Sequence, residues 1–157
     1  MIGSIEPMMV EERMEDAVVL YLSTEIDGIA KVKPGFDNDG IELPCVAVGA
    51  LSSSEPEESR QTGHRNVELR VSVITRAAKI SDDLSQYQNA RELHAVIKAK
   101  VMQCLYVESL QVELNAQNVP TLVVSQCYVE QLNKKVDRER LVTEITLSAV
   151  AHTTLEP

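Results

Sequence analysis

Residues 66–76 read NVELRVSVITR, and the alternation in this run decides the fold. Val67, Leu69, Val71 and Val73 fall on one side of an extended chain, and Glu68, Arg70 and Ser72 on the other. Period-two patterning of this kind marks a strand with one face turned to a core. Working outward toward the N-terminus, the run is preceded by SSSEPEESRQTGHRN at 52–66. That stretch carries no large apolar residue and is expected to be a long polar loop. Before it, IELPCVAVGAL at 41–51 is rich enough in apolar and β-branched residues for a second strand, with Pro44 at a strand start or an edge. The two runs are expected to pair as an antiparallel ribbon with the polar loop at its end.

Toward the C-terminus a helical pattern takes over. Ala90, Leu93, Ile97, Val101, Cys104 and Leu105 form a stripe that predicts a helix over 84–106. Asp82 or Asp83 is placed to cap it, and Lys98 and Lys100 lie in its C-terminal half, where cations are favoured. His94, beside Leu93, is expected at the boundary of the buried face. The stretch SLQVELNAQNVP at 109–120 shows no clear period. TLVVSQCYVEQL at 121–132 and RLVTEITLSAVA at 140–151 are both β-rich and predict a hairpin, joined by the charged turn NKKVDRE at 133–139. In the second strand Leu141, Thr143, Ile145, Leu147 and Ala149 share a face.

The N-terminal segment predicts a helix over 6–23. Ser4 is placed as a cap, Pro7 is tolerated in the first turn, and Glu11, Glu12 and Glu15 sit at the positive end of the dipole. Val10, Met14, Ala17, Val18, Tyr21 and Leu22 give its apolar stripe. Between 24 and 42 the chain is broken by Gly28, Pro34-Gly35 and the DNDG turn at 37–40, leaving room for a short strand at Ile29–Val32. The element order implies an α+β fold: a mostly antiparallel sheet, two main helices packed on it, a long polar loop and a C-terminal β-hairpin, all in one domain over 1–157.

Composition narrows the function classes. The chain of 157 residues is 44% hydrophobic, too apolar for a disordered protein, and its length suffices for a sizeable core. Its formal net charge is −9, which argues against a generic DNA-binding or anionic-membrane module. Residues 1–80 carry eight Lys+Arg against fourteen Asp+Glu, and residues 81–157 seven against ten, so the acid excess concentrates in the first half. Aromatics are 3%, too few to build stacking platforms for single-stranded nucleic acid. Cys45, Cys104 and Cys127 are widely spaced, each in an apolar stretch, and are expected to be reduced core thiols rather than a disulfide framework or a zinc set. The N-terminus has no basic region of the secretory type, and no apolar run approaches membrane-span length.

No catalytic signature is present. His64, His94 and His152 have no HExxH or HxH spacing, Ser52, Ser53 and Ser54 lack a GxSxG elbow, and neither GxxxxGK[ST] nor GxGxxG occurs. Asp37, Asn38, Asp39 and Gly40 resemble the start of a calcium loop, but the later glutamate is missing and Gly40 comes too early, so they are expected to form a turn. Cys45 has no polar activating neighbour in sequence. The chain is therefore expected to be no enzyme and to use no cofactor or metal.

The order of elements resembles that of the tail terminator, or tail completion, proteins of long-tailed bacteriophages. The resemblance is carried by MEDAVVLYLST, by PCVAVGAL and NVELRVSVIT around the loop SSSEPEESRQTGHRN, by ARELHAVIKAKVMQCL, and by the hairpin TLVVSQCYVEQL…RLVTEITLSAVA. It covers most of the chain but rests on order and pattern, not on an invariant motif. It implies a virion protein that forms a homo-hexameric ring, caps the tail tube and joins it to the head connector or stopper protein. Assembly would take place in the host cytoplasm, and DNA would pass through the lumen without specific binding. Another neck component, such as a head-completion, stopper or adaptor protein, is the related alternative. A small enzyme or ligand-binding domain is the alternative from another class. Under the ring reading Glu55, Glu57, Glu58, Arg60 and Arg65 are candidates for a lumen or tube-facing loop. Lys134, Lys135, Asp137, Arg138, Glu139 and Arg140 are candidates for ion pairs between subunits or with the connector; the same residues can equally form a solvated hairpin tip.

Overall fold

The computed structural model describes residues 10–26, 28–35, 43–54, 65–77, 83–137 and 140–153. Helix α1 (Val10–Glu25) buries Val10, Met14, Ala17, Val18, Tyr21 and Leu22, the stripe its spacing predicts. The expected cap Ser4 and Pro7 lie outside the described residues, as do the DNDG turn and most of the polar loop. Strand β1 (Lys31–Pro34) follows, two residues later than the Ile29–Val32 reading, between Gly28 and Gly35 at φ +85° and +93°. Both glycines hold a left-handed conformation that a side chain disfavours. Strand β2 is Cys45–Ser54, so Pro44 does stand at a strand start, and β3 is Arg65–Arg76.

Helix α2 (Leu84–Leu105) opens on a capping box in which the Asp83 carboxylate accepts the Gln86 N–H at 3.0 Å and the Gln86 side chain receives the Asp83 N–H. Gln86 N–H, with Ser85 Oγ–H, holds the exposed Asp83 carboxyl below its ordinary range. A short helix α3 (Leu110–Asn115) occupies the stretch that showed no period. It buries Leu110 and Leu114, one turn apart, and its last residue holds the next strand. Asn115 donates to the Val124 carbonyl at 2.9 Å and accepts the Val124 N–H at 2.8 Å, beside an irregularity in that strand.

Strands β4 (Leu122–Asp137) and β5 (Arg140–Thr153) form the expected hairpin, but it is longer than predicted. Asn133 to Asp137 were read as turn and are strand: they pair with Glu144 to Arg140, leaving only positions 138 and 139 between the strands. Charge does not prevent strand pairing here because β4 is the sheet edge, where charged side chains reach water. The five-stranded sheet runs β1-β2-β3-β5-β4, antiparallel except where β1 pairs in parallel with β2.

The three described helices cover one face of the sheet. Val67, Leu69, Val71 and Val73 of β3 meet Ile145, Leu147, Ala149 and Ala151 of β5 beneath α1, α3 and the C-terminal part of α2, forming one aliphatic core. The phenol of Tyr21 donates to the Cys104 carbonyl at 2.8 Å within it, and burial pushes that phenol up to about 12. Cys104 and Cys127 line the same core; burial alone carries the Cys127 thiol up to about 12. The opposite face holds a smaller patch of Ala47, Ile74 and Val142 with Leu43 packed against it. Ser72 is thereby buried rather than solvated, a correction to the simple inside–outside reading of β3.

Candidate functional site

Among its described side chains, helix α2 joins the core only over its second half. Its buried residues are His94, Ile97, Val101, Cys104 and Leu105, a clean helical stripe that starts at His94. The sequence placed Leu93 inside and His94 at the boundary. The structure reverses the two: His94 is 3% exposed and Leu93 45%. Burying the imidazole is acceptable because both ring nitrogens are partnered. Nδ1 lies 2.9 Å from the Thr75 hydroxyl and Nε2 lies 2.8 Å from the Thr143 hydroxyl. A neutral ring is donor at one nitrogen and acceptor at the other, and hydroxyls supply either role. Burial, then the charges of Lys98 and Lys134, lower the pKa of this histidine.

Before His94, α2 buries none of its described side chains, and Leu84 is 73% exposed. On the other side the end of the β4–β5 hairpin also projects beyond the core, with Val136 68% exposed. Between them lies an open groove of about 680 Å³. Its floor includes His94 and Leu141, and its walls carry Arg91, Lys98, Lys134 and Val136, with Glu92 as its acid. Among the described residues no ion pair neutralises Arg91, Lys98 or Lys134. The groove is thus a local cationic and apolar surface on a chain of net charge −9.

The residues singled out in the sequence are divided by the structure. Glu55, Glu57, Glu58, Arg60, Arg138 and Glu139 lie outside the described residues. Arg65 opens β3, opposite Ala151. Asp137 ends β4 in register with Arg140. Lys134 and Lys135 are adjacent in β4 and therefore point to opposite faces. Lys134 lines the groove, while Lys135 lies 3.5 Å from the Glu144 carboxylate, which also meets Arg70 at 3.3 Å. Arg91 and Lys98 of the groove were missed, because they and Lys134 become neighbours only through the fold. Their seven-residue spacing on α2, which puts them on one helix face, was the available signal.

Cys45 and His94 do not share a pocket. Cys45 is fully buried in register with Ile74, on the face away from His94, and burial raises its thiol pKa. His64 lies outside the described residues. Among the described residues no group of three or more His, Cys, Asp or Glu is arranged to hold a metal ion. No helix among them is long and apolar enough to cross a membrane.

No protein-family model and no curated protein matches the chain. A solved structure does. A chain of the virion of a native gene transfer agent particle aligns over 91% of this chain and 97% of its own length, with a TM-score of 0.54 and 14% identity. At that identity the likeness is one of fold, and it includes nearly the whole of both chains.

Proposed function

We propose that this chain is a non-catalytic structural protein of a phage-type virion, forming a ring that caps the tail tube and joins it to the head connector. The observation that carries the proposal is the fold it shares, almost end to end, with a chain of a gene transfer agent virion. Two physical features are compatible with it. Subunits that close into a ring need two different complementary surfaces, and the exposed β4 edge and the open groove lie on one flank only. The acid excess suits a lumen that lets DNA phosphates pass without adsorbing them. The partners in this reading are further copies of the chain, the tail tube protein and the connector or stopper protein.

The test is to mix the full-length protein with purified tail tubes and record native mass spectra and averaged images. Closed rings, hexameric on this reading, seated on tube ends are expected. A protein that stays monomeric or dimeric with and without tubes, and contributes no density at the head–tail junction of the virion, would overturn the proposal.

A further inference from the structure

A cationic groove in an acidic protein raises the question of what negative surface it was shaped to meet. Helix α1 offers one. Glu12, Asp16 and Leu20 follow one another at four-residue spacing on its exposed side, with Leu20 47% exposed. Glu11 and Glu15 flank that line. The Glu15 carboxylate is already engaged, accepting the Ala50 N–H at 2.9 Å, so it fixes the helix against β2 and leaves Glu12 and Asp16 turned outward. The line is two acids followed by an apolar side chain. The groove offers the converse: Arg91, Lys98 and Lys134 beside the bared Val136.

The two surfaces cannot meet within one molecule. Helix α1 packs most heavily on β1 and β2, toward one flank of the sheet, and the groove lies over β5 and β4, at the other. A pairing between different patches on opposite flanks is head-to-tail, the kind that generates rings. Resting on the ring reading above, we infer that the groove between α2 and the β4–β5 hairpin receives the Glu12–Asp16–Leu20 face of α1 from a second copy of this chain. Leu20 enters beside Val136, and Glu12 and Asp16 oppose Arg91, Lys98 and Lys134. The overhang of α2 and of the hairpin is then the wall of a subunit interface, which accounts for their bare apolar side chains.

Cysteine trapping tests the contact directly, because Cys45, Cys104 and Cys127 are all buried and leave a low background. The full-length D16C/K134C variant, oxidised alone and on tail tubes, is expected to give a disulfide ladder ending at the closed ring. Each single variant should stop at the uncrosslinked protein. In parallel, R91E/K134E should weaken self-association by about tenfold or more, and adding E12K/D16K to it should restore most of the loss, since opposite charges are regained. All four positions are exposed, and unchanged thermal melting confirms that the variants fold. Rings that form but give no ladder, and that ignore both charge reversals, overturn this contact while leaving the ring itself standing. Wild-type protein that makes no ring in solution or on tubes overturns both.

Discussion

The two halves of α2 differ in composition and in burial: residues 84–93 hold four apolar side chains among ten, and residues 95–105 eight among eleven. From His94 onward, Ile97, Val101 and Leu105 are sealed against β3 and β5 beneath α1 and α3. Before it, Leu84 and Leu93 stand in solvent on the same helix. The residue at the junction is a histidine whose two nitrogens are tied to Thr75 and Thr143. The contrast teaches that burial follows the side of the helix as well as its composition: Leu93 is 45% exposed beside buried His94, and Val96, past the junction, is 58% exposed. The stripe from His94 onward seals the core, and the exposed side chains beside it are free to serve a partner.

Four stability measurements can break or sharpen this contrast. The largest effect is expected in the sealed region. Leu147→Ala, at a site with no exposure, should lower the unfolding free energy by about 2–5 kcal/mol in urea titration. Leu93→Ala on the overhang should stay within about 0.5 kcal/mol. Comparable losses at the two sites would erase the distinction.

An intermediate effect belongs to the junction. Thr143→Val removes one partner of the buried ring and should cost about 1–3 kcal/mol. The same ring imposes a pH dependence. Unfolded histidine takes up a proton near pH 6.5, whereas folded His94 resists it, chiefly because it is buried. Its contribution to stability is therefore complete above about pH 6.5 and is lost as pH falls through the lowered folded value. Glu15 acts in the opposite sense: burial raises its carboxyl, so the native state regains stability as pH falls through that raised value. Thermal melts across mildly acidic pH should show the histidine slope, and H94Q should flatten it; an unchanged slope would refute this assignment.

The smallest effect lies on the face away from the helices. Glu144→Gln loosens the pairs with Arg70 and Lys135, and should cost at most about 1 kcal/mol, less at high salt. A larger, salt-insensitive loss would mean that this face, too, is tightly organised.

Much of the fold was legible because its signals were local. The alternation through Val67–Val73, the stripe Val10–Leu22 and the Asp83 cap each require only neighbours within a turn or a strand. Their outcomes, an antiparallel sheet under two main helices, followed. The losses occurred where tertiary placement overrules local pattern. Six residues of α3 offer only Leu110 and Leu114 as a signature. Lys134 and Lys135 read as turn, although an edge strand tolerates them. Hydropathy favours Leu93 over His94, and no sequence rule foresees two threonines on other strands waiting to bond an imidazole. The groove was invisible for the same reason: its cations come from a helix and from a distant hairpin. Among the described residues predicted to interact, Lys134 lines it, while Arg65, Lys135, Asp137 and Arg140 take other places in the strands.

The position of β5 has a consequence for synthesis. It sits between β3 and β4, pairing Arg65 with Ala151 and Arg76 with Arg140, so β3 leaves the ribosome with β2 beside it and its other edge bare. At about 5–20 residues per second, several seconds pass before the matching strand arrives. During that interval the nascent chain displays an aliphatic strand with open N–H and C=O groups, the form most prone to pair with a neighbour on the same polysome. A second copy on the same polysome would be met there first, which makes the pace of translation through residues 77–140 a determinant of yield.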